Sequence, residues 1–515
     1  MKRNVLAILL AALLLTPSFV ACGGGETTET QAAENTAAGE NTTAETEADL
    51  FAAYRNIDLG GRTVNISVSS NISENGGGMP TSYPYIAGPE EMTGESVQDS
   101  VFQRNMEVEE MLNCKLKHEA LDKHFNEVQP HIENLVLSGD ASVDYYVNDQ
   151  LGLLHCGLKG YLLDLADKSN FGEYYFDLDS DVYYSEYMKQ LSLANKRFII
   201  TGDYFIDTLR ASHVLYLNKN IAEELYGDPN YVYNLVLDDT WTMSKMNEMI
   251  AEAYQDTNGD GSADENDRFG LTGHSSGWAY PYYAFYYSTD CKIISFDSKG
   301  LPYIDENCQE NLSKMAELLI NTDSSIGIWK TTSVSDSLKK FVNGQAMLTF
   351  FQKVGDMEQS SIREFDGMGV IPYPKMNESQ EIYRTLVHDT AEMGAVPVTT
   401  IGEAASAVSA VIQVLSTHAH EYLLEGYYEV ALKSKYAQDA YTAQMLDLVV
   451  EGISAPFEFA YELGFGADSF LNTITFQPIA DSITKGTDVT ASTFATLLPG
   501  AQTGLEKLIG IYTAD

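Results

Sequence analysis

Residues 63–68 read Thr63-Val64-Asn65-Ile66-Ser67-Val68, an apolar–polar alternation that predicts a strand with one face on a core. From Ser96 to Leu112 the period changes. Val97, Val101, Val108, Met111 and Leu112 fall at helical spacing. Cys114-Lys115-Leu116-Lys117 then reads as a second strand, and a second helix follows from about His124 to Leu137 with Phe125, Val128, Ile132 and Leu135 on one face. Strands that alternate with helices in this way predict an α/β lobe built on a largely parallel sheet.

The same alternation continues downstream. Arg197 to Ile200 reads as a strand, Val214 to Leu217 as another, with a helix from Ile221 and a further one from Trp241 to Tyr254. Residues 406–416, 419–433 and 442–451 are strongly helical in pattern. No repeat at solenoid or propeller spacing is present. A length of 515 residues allows two or three lobes, each with its own core. Against 31 Lys and Arg stand 74 Asp and Glu, a formal net charge of -43. That charge repels nucleic acid and anionic surfaces, so nucleic-acid partners are set aside.

The amino terminus carries an address. Met1-Lys2-Arg3, an apolar run from Val5 to Leu15 and small residues before Cys22 predict a secretory signal over 1–21. Ala21-Cys22-Gly23 resembles the lipobox of bacterial lipoproteins, with Phe19 where Leu is commoner. The resemblance implies acylation of Cys22 and an anchor on the extracellular face of the bacterial cell membrane. Residues 22–58 then form an acidic linker too poor in large apolar residues to fold. As a tether, 23–50 reaches about 90 Å when stretched and about 30 Å as a coil. Of the remaining cysteines, Cys114, Cys156, Cys291 and Cys308, none forms a CxxC pair, which argues against zinc or a thioredoxin-like motif. Cys291 and Cys308 bracket a hairpin-like stretch, and a disulfide or two buried thiols both fit them.

Three motifs carry chemistry. Asp256, Asn258, Asp260, Ser262, Asp264 and Asp267, with Gly261, match the twelve-residue calcium loop at its key places. Ca²⁺ needs six to eight oxygens, and a glycine at the sharp turn lets them converge. Asp267 replaces the usual Glu at the last position. The expectation is a structural Ca²⁺ clip, set against an Asx turn without metal. Gly273-His274-Ser275-Ser276-Gly277 satisfies G-x-S-x-G, for which a serine hydrolase would need an acid such as Asp389 and a base such as His418 or His420. No oxyanion-type glycine loop precedes it, so the reading is non-enzymatic. Lastly, aromatic residues crowd 278–287, and Tyr83 and Tyr85 lie in an early loop; such faces suit stacking on sugar rings.

Several segments in order resemble the extracellular solute-binding proteins of ABC importers, the family that includes maltose-type sugar binders. They are Gly160-Tyr161-Leu162-Leu163-Asp164-Leu165, Leu217-Asn218-Lys219, Asp239-Thr240-Trp241-Thr242, the acidic loop leading into Phe269-Gly270-Leu271, Phe341 to Met347, Ile371-Pro372-Tyr373-Pro374-Lys375, and Lys433 to Tyr436 with Asp439 and Met445 to Asp447. The resemblance implies a two-lobed, periplasmic-binding-protein-like α/β fold of type II, with hinge segments and an interlobe cleft. It implies crossings near Arg210 to His213, near His388 to Ala395 and near Glu451. Lobe one would be 59–210 plus 396–450, and lobe two 214–388 plus 451–515. A monomer would capture a carbohydrate, an oligosaccharide by expectation, and deliver it to an ABC permease by hinge closure. Tyr83, Tyr85, Asp203, Trp278, Tyr280 and Trp329 are the expected ligand-binding residues. A surface hydrolase using Ser275 and a non-transport surface receptor are the competing readings.

Overall fold

The computed structural model describes residues 49–70, 81–123, 125–274, 282–424, 426–428, 439–455, 457–461 and 470–513. Strand β1 (Arg62–Ser69) buries Val64, Ile66 and Val68 completely, as the alternation predicts. The helix Ser96–Leu112 follows and ends on Asn113, whose φ of 47° turns the chain directly into β2 (Cys114–Leu121). β2 runs parallel to β1 in the register Arg62 to Cys114, and its exposed Lys115, Lys117 and Glu119 protect a free sheet edge. The helix Phe125–Ser138 crosses back, and β3 (Tyr145–Asp149) pairs parallel on the other side of β1. A late strand, β12 (Glu392–Ala395), closes this sheet antiparallel to β3, giving the order β12-β3-β1-β2.

A second sheet holds β4 (His213–Asn218), β5 (Phe269–His274), β8 (Ile328–Thr331), β9 (Ala346–Lys353) and β10 (Met368–Ile371) in the order β10-β4-β9-β5-β8. It is mixed: β5 is parallel to both β8 and β9, whereas β4 is antiparallel to β9 and β10. Two small ribbons complete the strands, β6 (Ile294–Phe296) with β7 (Pro302–Ile304), and β11 (Thr385–Leu386) with β13 (Ile453–Ser454). The architecture is a two-lobed α/β fold, one lobe on each of the two larger sheets.

Some expectations shift. Arg197 to Ile200 is no full strand; only Ile200 bridges to Gly394, with hydrogen bonds of 2.7 and 2.8 Å. The helix expected from Trp241 starts at Met243, because Trp241 is buried before the Thr242 cap and donates its indole N–H to the Pro372 carbonyl at 3.0 Å. The helix Ala440–Glu451, assigned to lobe one with 396–450, packs on the second lobe instead. Tyr441 stacks on Tyr233 at 5.5 Å, Thr442 bonds the Tyr233 hydroxyl at 2.6 Å, and Asp439 pairs with Lys219. Helical period alone says nothing about which sheet a helix covers. Cys114, Cys156, Cys291 and Cys308 stand as buried thiols; burial lifts Cys114 to about 11 and Cys308 to about 12.

Candidate functional site: the crossing between the two sheets

The chain leaves the first lobe through Asp207–Arg210 and enters the second sheet at His213. It returns beside the same point. Ser212 bridges antiparallel to Val387, and the His388 N–H donates to the Ala211 carbonyl at 2.9 Å. The end of β9 docks on both, with the Val354 N–H on the Ser212 carbonyl at 2.9 Å. Three segments of distant sequence therefore meet where the two sheets join.

Arg210 ties them together. Its guanidinium is fully buried and grips Glu358 with two parallel bonds, Nε to Oε1 at 2.9 Å and Nη2 to Oε2 at 3.0 Å. A third bond runs from Nη1 to Asp207 Oδ1 at 2.8 Å, and the cation lies 4.6 Å over the Tyr85 ring. Tyr427 donates its hydroxyl to Glu358 Oε1 at 2.7 Å and stands edge-on to Tyr85 at 5.8 Å. Burial alone would lower the Arg210 pKa, but Glu358 and Asp207 beside it hold it well above its ordinary value. The acids pay no such compliment to each other: burial raises Asp207 against the pull of Arg210, and burial with Asp207 nearby lifts Glu392 well above the carboxylate range. Glu392 accepts the Ser82 hydroxyl, and its own N–H donates to Asp207 Oδ2 at 2.9 Å.

Beside this cluster is a ring group. Phe351 has a φ of 64°, at a point where β9 slips register against β4. Its ring centroid lies 5.1 Å from His213 and 5.9 Å from His388, and the two imidazoles are 5.3 Å apart. His388 Nδ1 sits 2.7 Å from Asp389 Oδ1 and 2.9 Å from Thr390 Oγ1.

The sequence-predicted residues divide among three places. Tyr83 and Tyr85 sit half-buried on the short helix Tyr83–Ile86, and Tyr85 belongs to the Arg210 cluster. Asp203 is buried and pairs with His420; next to it, the Tyr204 ring carries Arg104 at 4.7 Å. Arg104 also donates to the Tyr85 carbonyl at 3.3 Å, so Tyr85 and Asp203 share one neighbourhood. Trp329 does not join them. It lies on edge strand β8, 5.0 Å from Phe269 and with Lys340 5.1 Å over its ring. Lys340 in turn donates to the Glu265 carbonyl at 2.7 Å, which puts Trp329 beside the acidic loop. Trp278 and Tyr280, like Ser275 and Cys22, lie outside the described residues.

The imagined hydrolase partners are engaged elsewhere. His418 bonds Glu107 at 2.8 Å, His420 pairs with Asp203, and Asp389 stands against His388. In the acidic loop, Asp256 accepts the N–H groups of Gly259 and Gly261 at 2.7 and 2.8 Å. Asn258 accepts from Asp260 at 3.0 Å, Asp260 from Ser262 at 2.7 Å and Asp264 from Asn266 at 2.8 Å. Asp267 is buried and accepts from Thr257 N–H and the Tyr254 hydroxyl, each at 3.0 Å. Gly261 supplies the turn with a φ of 78°. Among the described residues no three His, Cys, Asp or Glu side chains are grouped to hold a metal.

Sequence reasoning missed Glu358, Phe351, His213 and His388 as a group. The pairing of the crossings assembles them, and no local spacing announces it.

No protein-family model and no curated relative matches the chain. Solved structures do. The maltose-binding periplasmic protein MalE of Listeria monocytogenes, in complex with maltose, superposes with a TM-score of 0.51 at 13% identity, over 87% of this chain and 98% of that one. An extracellular solute-binding protein of Staphylococcus aureus, also with maltose, gives 0.51 at 11% identity, over 88% and 99%. UgpB of Mycobacterium tuberculosis, in complex with glycerophosphocholine, gives 0.50 at 14% identity, over 81% and 98%. At these identities the likeness is one of fold.

Proposed function

We propose that this chain is a non-enzymatic solute-binding protein of an ABC importer. It captures a carbohydrate, an oligosaccharide by preference, between its two lobes and presents it to a permease. The observation that carries the reading is the crossing itself: two α/β lobes share adjacent connecting segments, and a polar and aromatic cluster gathers there. Such a hinge allows ligand to bind the closed form in preference to the open one and shift the population. The fold neighbours bound to maltose support a sugar. The Cys22 anchor and the 23–50 tether would keep the binder near its transporter at high local concentration, the linker ending short of 58 because Phe51, Tyr54 and Ile57 pack on the core. No helix among the described residues is long and apolar enough to cross a membrane.

Calorimetry against mono- and oligosaccharides tests the proposal. Saturable binding without turnover, with a smaller radius of gyration on binding, is the expected result. Silence across the panel overturns the carbohydrate reading. Hydrolysis of generic esters that Ser275→Ala abolishes would favour the enzyme instead.

We also propose the 256–267 loop as a structural Ca²⁺ clip. Its side chains carry the needed oxygens in the needed order, although their acceptors now serve the loop's own N–H groups. A ligand that binds only the folded state stabilises it, so the melting temperature is expected to be higher in Ca²⁺ than in chelator. An unchanged melting temperature removes the clip.

A further inference from the structure

Away from the crossing the two lobes touch a second time. Residues 185–200 belong to the first lobe: Ile200 bridges to Gly394 of β12, and the Tyr187 hydroxyl donates to Gln150 Oε1 at 3.0 Å, just past β3. The helices Phe457–Ala460, Phe470–Lys485 and Thr490–Thr513 belong to the second lobe. The last two pack on the helix Gln309–Ser324, which itself lies against β8, and Phe476 stacks on Tyr283. Yet these carboxyl-terminal elements also hold the first lobe. The Tyr461 hydroxyl donates to the Leu191 carbonyl at 2.5 Å, the Ala455 N–H to Gln190 Oε1 at 2.8 Å, and the Tyr512 ring lies 5.4 Å from Phe198. Leu191, Leu193, Phe198, Tyr461 and Tyr512 are all buried in one apolar core that runs through from lobe to lobe.

Two turns add a polar contact to this one. Ala194 and Asn195 stand at φ of 51° and 62°, in a turn closed by the Lys196 N–H on the Leu193 carbonyl at 2.9 Å. Such a turn favours glycine. Asn195 Nδ2 donates across to the Lys299 carbonyl at 3.3 Å, in the turn between β6 and β7, where a side chain on Gly300 would meet Asn195 Oδ1 at 2.8 Å. A residue other than glycine persists at positive φ only where its surroundings hold it. Part of that hold on Asn195 comes from the other lobe.

A hinge at the crossing alone leaves the lobes free both to swing and to twist. Parting them at the second contact would bare the five apolar side chains named above. Burial of one such side chain is worth about tenfold or more in an equilibrium, so the set is worth on the order of 10⁵. That exceeds the roughly 10⁴-fold differential affinity by which a ligand carries a two-state equilibrium from one side to the other. We infer that the carboxyl-terminal helices and the β6–β7 ribbon form a second, permanent bearing between the lobes. The lobes then rotate about the line from Ser212 and Val387 to Leu191 and Tyr461, and part only along the edges away from it. The segment 451–515 serves both lobes. The inference rests on the two-lobed capture reading and adds the axis of its motion.

Asn195→Cys with Lys299→Cys, joined by a short bismaleimide in the full chain, tests it. Cys114, Cys156, Cys291 and Cys308 are buried and stay unreacted in the folded state. Without ligand, small-angle scattering is expected to give the same radius of gyration before and after joining. Maltotriose is expected to contract both forms equally and to bind both with the same affinity. Tyr512→Ala should enlarge the ligand-free radius, and joining the two turns in that variant should restore it. A smaller radius on joining, loss of the contraction in the joined form, or a Tyr512→Ala chain with the parent radius overturns the bearing and leaves carbohydrate capture standing. Silence of the parent toward maltotriose counts against the carbohydrate reading, and the ligand-free radii alone then decide the bearing.

Discussion

Replacing Arg210 by methionine is expected to cost the folded protein about 3–5 kcal/mol. Methionine approximates the length of the stem, so the loss reports the guanidinium with its ion pairs and its place over the Tyr85 ring. What remains is Glu358, stripped of a bidentate partner, and Asp207, stripped of a bond of 2.8 Å, both deep in the crossing. An uncompensated buried carboxylate either stays charged at high cost or takes up a proton. The pH dependence follows. Asp207 and Glu392 already have raised pKa values in the folded chain, so the folded state holds protons that the unfolded chain has released. Their contribution to stability is greatest at low pH and falls as pH rises past the ordinary carboxylate range. Removing Arg210 takes away the group that pulls Asp207 down, so the variant should lose stability more steeply over that range. Urea unfolding at several pH values measures both effects. Adding Glu358→Gln to Arg210→Met should restore part of the loss; equal stability of parent and single variant at neutral pH would show that the cluster is solvated.

The periodic elements were legible because their physics is local. Val64, Ile66 and Val68 are buried as their alternation demands, and the helix Ser96–Leu112 ends where the apolar spacing ends. The crossings near Arg210 and His388 came from the resemblance and coincide with the place where Ser212 bridges to Val387. The site was read less well. Aromatic character drew attention to Trp329, yet that ring covers Phe269 on an edge strand. Phe351 went unread, because a positive φ leaves no trace in a sequence when the residue is not glycine. Arg210 finds Glu358 across 148 positions, a distance at which composition and spacing say nothing.

Gly270→Ala is expected to cost more than about 3 kcal/mol, above the usual range for overpacking. The glycine belongs to Phe269-Gly270-Leu271, and its place in the fold supplies the reason for it. A Cβ on Gly270 would stand 2.2 Å from both the Cα and the carbonyl oxygen of Ile250, inside the helix Met243–Glu252. Gly327 approaches the same backbone from the residue just before β8, a Cβ there falling 1.8 Å from the Ile250 oxygen, while its own carbonyl accepts the Gly270 and Leu271 N–H groups at 2.8 and 2.9 Å. The helix thus rests directly on two glycines of the second sheet. A side chain could rotate away from such an intrusion; a helix backbone cannot, so the helix must lift and Met246, Met249 and Ile250 lose their burial together. Gly510→Ala is the matching control. It lies in the helix Thr490–Thr513 with nothing within 4 Å of the added methyl, so helix propensity alone should stabilise the chain, by about 0.5–1 kcal/mol. Opposite signs for the two glycines in chemical denaturation are the expected result. A mild Gly270→Ala would mean that the helix does not sit on the sheet as closely as 2.2 Å requires.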